Sequence, residues 1–281
     1  MTDITCVGEL LVDMIGEETG GLKENPGFSK RAGGAPANVA VAASRLGAEV
    51  ELVATVGDDE FGDFLVERME KENVGTRNVR RSDLKTTLAF AALDEDAKPH
   101  FSFYRGADEK INKEQLEASG TLHLGSLPFT DRETSKNILE LVESFDGEVS
   151  FDPNLREELM EGRYQEALEK VLENTDVLIA AEEEIELFGG VEEIPVNEVI
   201  STRGSEGADL YINAELACHV DAEEVEVVDT TGAGDALTGA YLVFRQELSR
   251  EEALEKAVKA ASESVKVKGA MESLPEKTDL Q

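Results

Sequence analysis

Val225-Glu-Val-Val-Asp229-Thr230-Thr231-Gly232-Ala233-Gly234-Asp235-Ala-Leu-Thr-Gly-Ala-Tyr-Leu242 is the stretch on which the reading of the whole chain turns. Its β-branched opening predicts a strand. Thr-Thr-Gly-Ala-Gly predicts a tight turn, and the apolar run from Ala236 to Phe244 a helix. Glycine takes positive φ at no steric cost and lets a ligand approach the backbone. The N–H groups of a first helical turn, with the helix dipole behind them, form an anion site. Asp235 sits inside that site. A carboxylate is a poor choice there for holding phosphate alone. It suits a base that takes a proton from an alcohol while amides stabilise charge on a phosphoryl group.

Two other readings fit parts of the stretch. Asp229, Thr230 and Thr231 also serve as cap residues of an ordinary helix start. A dinucleotide-binding turn needs glycine at position 237, where Leu237 stands, and an acid on a later strand. The next segment is instead helix-like, Arg250 to Ala261.

Asp229-Thr-Thr-Gly-Ala-Gly-Asp235 resembles the C-terminal signature of the ribokinase-like (PfkB) sugar kinases. The resemblance implies that Asp235 is the catalytic base and that the amides of Gly232, Ala233 and Gly234 form the anion hole, with Thr231 beside the nucleotide. Nearer the N-terminus, Gly33-Gly34-Ala-Pro-Ala-Asn38-Val-Ala precedes an Ala/Val helix that Gly47 ends as a C-terminal glycine cap. With Gly57-Asp-Asp-Glu-Phe-Gly62 it resembles the family's N-terminal signature, in the wording of its fructokinase branch. By that match Gly33, Gly34 and Asn38 contact the sugar.

Residues 3–15 read as a first strand, in which Asp13 is an acid in an apolar run. It is either a strand end facing water or, as the resemblance implies, an acceptor for sugar hydroxyls. Residues 48–56 predict a strand and 60–72 a helix. Residues 86–93 and 99–105 are strand-like, around a turn at Asp94 to Pro99. Together with 14–32 they are expected to form the family's small β lid. Tyr104 and Arg105 end it, and in fructokinases and ketodeoxygluconate kinases the matching pair reaches the substrate. Asp152-Pro-Asn154-Leu-Arg156 comes after a strand, at the end where open α/β sheets place ligands. The resemblance points Asn154 and Arg156 toward the substrate and the transferred phosphate.

The family's Asn-x-x-Glu motif, which handles Mg²⁺ through water, falls on Ala181 to Glu184. Its Asn is absent and its Glu retained. Thr202, Gly204 and Gly207 match the nucleotide loop, and Lys268 to Met271 the stretch near adenine and a monovalent-cation (K⁺) loop. Ala260 stands where many relatives carry Asn.

With 27 Lys+Arg against 61 Asp+Glu, the net charge is −34. Such a surface repels nucleic acid and anionic membrane. Apolar periodicity along the whole chain argues for a folded protein with a solvated acidic coat, a high-salt adaptation. Arg105, Arg156 and Arg203 are expected to offer anionic ATP a positive patch. Cys6 and Cys218 lie in strand-like runs and are expected to be reduced core residues. No basic, apolar leader opens the sequence and no run is long enough to span a bilayer, so a cytoplasmic protein is expected.

The fold expected is one ribokinase-like α/β domain over residues 1–281, a mainly parallel sheet flanked by helices, with lid strands inserted at about 14–32 and 86–107. The activity implied by the resemblance is ATP- and Mg²⁺-dependent phosphorylation of a sugar hydroxyl. D-Fructose is the first candidate and 2-keto-3-deoxygluconate the second. A sensing module that has lost turnover is the non-enzyme alternative. Family habit allows a homodimer through the lid.

Overall fold

The computed structural model describes residues 2–93, 99–155 and 163–280. A large sheet carries the chain. Its strands are β1 (Ile4–Val7), β4 (Val50–Gly57), β5 (Gly75–Ser82), β8 (Thr121–Gly125), β9 (Val149–Asp152), β10 (Val177–Ala181), β11 (Glu198–Thr202), β12 (Ala208–Ile212) and β13 (Glu215–Val220). A small sheet holds β2 (Leu11–Gly16), β3 (Phe28–Gly33), β6 (Leu88–Leu93) and β7 (Pro99–Tyr104).

The large sheet runs β13-β12-β11-β10-β9-β8-β1-β4-β5. All its pairings are parallel except β11–β12 and β12–β13. The central strands β1, β8 and β9 are buried along their whole length, as parallel strands covered on both faces must be. From β1 the order runs one way through β4 and β5 and the other way from β8 onward. The crevice between β1 and β8 is therefore the switch point at which open α/β sheets bind ligands, beyond the carboxyl ends of the strands.

Nine α-helices lie among the described residues: α1 (Gly21–Glu24), α2 (Ala35–Arg45), α3 (Glu60–Lys71), α4 (Arg132–Ser144), α5 (Arg163–Leu172), α6 (Glu182–Leu187), α7 (Ala233–Phe244), α8 (Arg250–Ser264) and α9 (Ala270–Ser273). Helix α2 joins one core with β1 and β4, while α4 and α5 build a second with Phe151 and Leu122. Helices α2 and α7 meet without large side chains between them: a Cβ on Gly239 would lie 2.6 Å from that of Ala42. None of the described helices is long and apolar enough to cross a membrane.

Two strand expectations are corrected. Residues 3–15 are two strands in two different sheets, joined by Gly8-Glu9-Leu10. The chain leaves the large sheet at Gly8, where a Cβ would strike the Pro36 ring at 2.4 Å, so only glycine passes under the start of α2. Residues 225–229 join no sheet. They run extended past the end of α8, with Val228 and Asp229 N–H donating to the Val265 carbonyl, and Val227 and Val228 are exposed. Of the cysteines, both free, Cys6 is core and Cys218 only half-buried. The turn expected at 94–99 lies, except for Pro99, outside the described residues.

Candidate active site

A cleft of about 760 Å³ lies between the carboxyl ends of the large sheet and one face of the small sheet. Strand alternation decides that face. Asp13 pairs with Ala89, and Ala89 with Phe103, while Ile15 pairs with Ala91, and Ala91 with Phe101. All six line the cleft. The opposite face stacks Phe28, Phe90 and Tyr104 edge to face.

At the floor stands Asp235, buried in the first turn of α7. Its Oδ2 accepts a 2.7 Å hydrogen bond from Asn38 Nδ2 of α2. The turn before it is left-handed at Gly232 (φ 83°), and no side chain caps the helix. A Cβ on Gly234 would meet no atom within 4 Å. The Ala233 N–H is partly engaged, donating to the Thr230 carbonyl at 3.2 Å. Asp229 braces the turn from behind. It accepts the Thr231 N–H and hydroxyl at one oxygen and the Gly269 N–H at the other. Burial raises its carboxyl, and those hydrogen bonds bring it below the usual range.

The turn before α2 is arranged differently. Gly34 has φ 110°, and a Cβ there would sit 2.3 Å from the Glu9 carbonyl oxygen. A Cβ on Gly33 would lie 1.9 Å from Asp13 Oδ2. Both glycines are thus demanded by protein atoms. The Ala35 N–H at the start of α2 donates to Glu9 Oε1 at 3.0 Å. Glu9, just past the end of β1, is 5% exposed, lines the cleft and keeps its Oε2 without a hydrogen bond. Burial, more than any charge, pushes its carboxyl up to about 7. Motif and pattern in the sequence do not single out Glu9. The available signal is the same one that marks Asp13, an acid in an apolar run.

Beyond β9 the chain turns through Asn154, which lines the cleft at φ 40°, a left-handed conformation rare outside glycine. Asp152 accepts from the Thr238 hydroxyl of α7 at 3.3 Å. Burial first, then the charges of Glu184 and Asp235, hold its carboxyl well above the usual range. Glu184 spans two strand ends, accepting the Leu155 N–H at 2.5 Å and the Ala181 N–H at 2.9 Å. Its carboxylate therefore ties the β9 and β10 loops together, a role that the motif match does not suggest.

Asp13, Gly34, Asn38, Asn154, Glu184, Thr202, Thr231, Gly232, Gly234 and Asp235 all reach the lining; Gly33, Tyr104, Arg105, Gly204, Gly207 and Ala233 do not. Arg156 lies outside the described residues. Arg105 turns to Asp108 and Thr130, with Nε 2.7 Å from Asp108, and Tyr104 is 65% exposed on the outer face. Gly207 instead permits the β11–β12 turn, where a Cβ would clash with the Val220 carbonyl at 1.9 Å. The positive patch expected of Arg105 and Arg203 is not on the lining either. Arg203 is taken up by Glu182, Glu206 and Asp209. Lys268, beside the Gly232 turn, is the one basic side chain among the described lining residues.

This architecture has known counterparts. The model of the family described as pfkB family carbohydrate kinase matches residues 1–277. Fructokinase-1 of Oryza sativa subsp. japonica is 32% identical over 311 residues, covering 99% of this chain and 96% of that protein. The structure of an uncharacterized sugar kinase from Pyrococcus horikoshii in complex with ATP superposes with a TM-score of 0.90 at 34% identity, over 98% of this chain and 96% of that one. An E. coli protein solved under the name Ribokinase II, with ATP and Mg²⁺, gives a TM-score of 0.89 at 28% identity, over 100% of this chain and 98% of that one.

Proposed function

The chain belongs to the pfkB family of carbohydrate kinases, and from that premise we propose that it transfers the γ-phosphoryl group of ATP to a hydroxyl of D-fructose. The observation that carries the reading is the Asn38–Asp235 hydrogen bond of 2.7 Å at the floor of the cleft, inside an uncapped helix start. Asn38 donates to the carboxylate and so holds it aimed. Asp235 accepts the proton of the attacking hydroxyl as it bonds to phosphorus. The N–H groups of Gly232 and Gly234, with the α7 dipole, stabilise charge on the phosphoryl oxygens. Ala233 contributes less than its neighbours, because Thr230 already engages its N–H. Asp13, Gly34 and Asn38 face the sugar, with Asn154 at its far side. Lys268 meets the polyphosphate. Thr202, with Gly204 and Gly207 shaping the turn behind it, borders the nucleotide.

Mg²⁺ suits the donors on this lining. Asp152 and Glu184 are hard oxygen ligands, and the Asp152 carboxyl is raised by burial first and then by the charges of Glu184 and Asp235. No group of three or more candidate ligands forms a cage among the described residues, so phosphate and water would complete the shell around Glu184 and Asp152. When bound, the ion neutralises phosphate charge. A K⁺ requirement rests on the family resemblance of the Lys268-to-Met271 loop alone. A cytoplasmic homodimer through the outer face of the small sheet completes the proposal; exposed Tyr104 lies on that face.

Fructose is favoured over 2-keto-3-deoxygluconate because Asp13 brings a carboxylate to the acceptor end of the cleft. It accepts from neutral hydroxyls and repels an acid or a sugar phosphate. A sensing module is disfavoured by Asp235, a base that binding alone does not need. The test is a panel of sugars with ATP and Mg²⁺, scored by ADP release. Fructose should give a higher kcat/KM than ribose, adenosine, fructose 6-phosphate or 2-keto-3-deoxygluconate. A clear preference for a nucleoside, a sugar phosphate or the sugar acid rejects fructose, and no turnover with any acceptor rejects the kinase.

A further inference from the structure

Glu9 is a buried carboxylate that neither the fold nor the phosphoryl-transfer chemistry explains. One of its oxygens is committed to the protein, Oε1 to the Ala35 N–H. The other, Oε2, is buried and has no hydrogen-bond donor among the described residues, on a residue that lines the cleft. A buried acceptor left unsatisfied is destabilising, and a hydroxyl of a molecule bound against the cleft wall would satisfy it. Gly125, at the end of β8 and also on the cleft lining, is its neighbour: a Cβ there would stand 3.9 Å from Oε2, in ordinary contact. Glu9 also lies at the β1–β8 switch point, next to the Gly34 turn.

We propose that Glu9 is an acceptor-binding residue, whose Oε2 takes a hydrogen bond from a hydroxyl of the neutral polyol that Asp235 deprotonates elsewhere. The inference rests on the sugar-kinase reading and adds to it a specificity determinant. Ala35 holds the carboxylate like a hinge pin, so Oε2 selects a hydroxyl at one position. Ionised, it accepts a charge-assisted hydrogen bond, roughly twice as strong as a neutral one.

The carboxyl changes charge near neutrality, since burial holds it up at about 7. Asp108 and Arg105 face it with opposite signs, and Asp13, Asp152 and Asp235 line the same cleft. Raising the pH through neutrality ionises Glu9 and should tighten acceptor binding.

The experiment compares wild type with Glu9→Gln, which keeps the shape and an oxygen for Ala35, and with Glu9→Ala, between pH 5.5 and 8.5. The readouts are acceptor KM, kcat, ATP Kd by calorimetry and Tm. The acceptor is whichever sugar the wild type phosphorylates best. In wild type the acceptor KM should fall several-fold as pH rises through 7. Glu9→Gln should raise it about tenfold at pH 8, flatten its pH profile, and leave kcat and ATP Kd within about twofold. Glu9→Ala should raise it further. Unchanged acceptor KM in both variants, or equal losses in acceptor and ATP binding together with a lowered Tm, would make Glu9 structural and overturn the proposal. Absence of turnover by wild type with every sugar would instead overturn the kinase reading and take this proposal with it.

Discussion

Two glycine turns open two small-residue helices, α2 and α7, onto one cleft, and they are built in opposite ways. The Gly33-Gly34 turn is filled by its own protein: the space that side chains would take belongs to the Glu9 carbonyl and the Asp13 carboxylate, and Glu9 has already taken the first N–H of α2. The Gly232-Ala-Gly234 turn has open space above Gly234 and no side-chain cap. A helix start already neutralised by a carboxylate has little attraction left for an anion, while an uncapped one keeps it. On the proposed reading, the same pair of glycines marks recognition of a neutral hydroxylated acceptor at one turn and of phosphate at the other. Sequence motifs alone make the two look alike.

The largest effect expected of this division is at Asp235. Asp235→Asn should lower kcat by roughly two to four orders of magnitude while acceptor KM and ATP affinity stay within a few-fold. Turnover within tenfold of wild type would end its assignment as the base. An acceptor KM that rises as steeply as kcat falls would mean the two turns do not divide the work.

Next comes the paired substitution of the glycines. Gly34→Ala forces a left-handed alanine against a carbonyl oxygen 2.3 Å away and should cost about 1–3 kcal/mol in strain. At about 2–4 °C per kcal/mol for a chain of this size, thermal melting would register it, along with a raised acceptor KM. Gly234→Ala meets no atom, so Tm should hold or rise with the better helix former. ATP affinity should nevertheless fall about tenfold, as a methyl group enters the phosphate's approach. Equal Tm losses in both variants would erase the contrast.

A smaller effect is expected at Glu184. Glu184→Gln leaves an acceptor for one of the two N–H groups that it bridges, and it should raise the Mg²⁺ concentration for half-maximal activity several-fold with little change in acceptor KM. An unchanged magnesium titration would leave Glu184 as the brace between Leu155 and Ala181 and nothing more.

The smallest expected shift is with salt. Between 0.1 and 1 M KCl the screening length falls from about 10 to about 3 Å. A net charge of −34 then repels itself and ATP less, so Tm should rise by a few degrees and ATP KM should fall. The KM of a neutral acceptor should stay put, because it feels no such field. A flat Tm with activity falling steadily as salt is added would identify an acidic protein with no high-salt adaptation.

Short-range chemistry is what the sequence makes legible. Gly34 and Gly232 are demanded by positive φ at single positions, Gly33 and Gly234 stand beside them, and Asn38 and Asp235 sit within one turn of a glycine. The alternation of buried strands and amphipathic helices likewise gives away the α/β class. Features that depend on a distant partner do not show. Val225 to Asp229 has every local property of a strand, but the last strand before it, β13, is the edge, and the segment runs instead beside α8. Arg105 has a long side chain, and Asp108 three residues on captures it. Glu9 becomes legible only once Ala35, 26 residues away in sequence, is seen donating to it.

The contact between Asn38 and Asp235 joins residues 197 positions apart, across helices that meet at Gly239. In folding terms the reactive pair is among the longest loops that the chain has to close, and loops of that span are slow to form. A ribosome-bound chain has no working floor to its cleft until residues past α7 have emerged. Competence to bind thus reports that the chain has folded through α7. A ligand that bridges both helices would draw on that linkage, stabilising by RT ln(1 + [L]/Kd) the native state alone, so that the enzyme's own substrates act as the last staple of its fold.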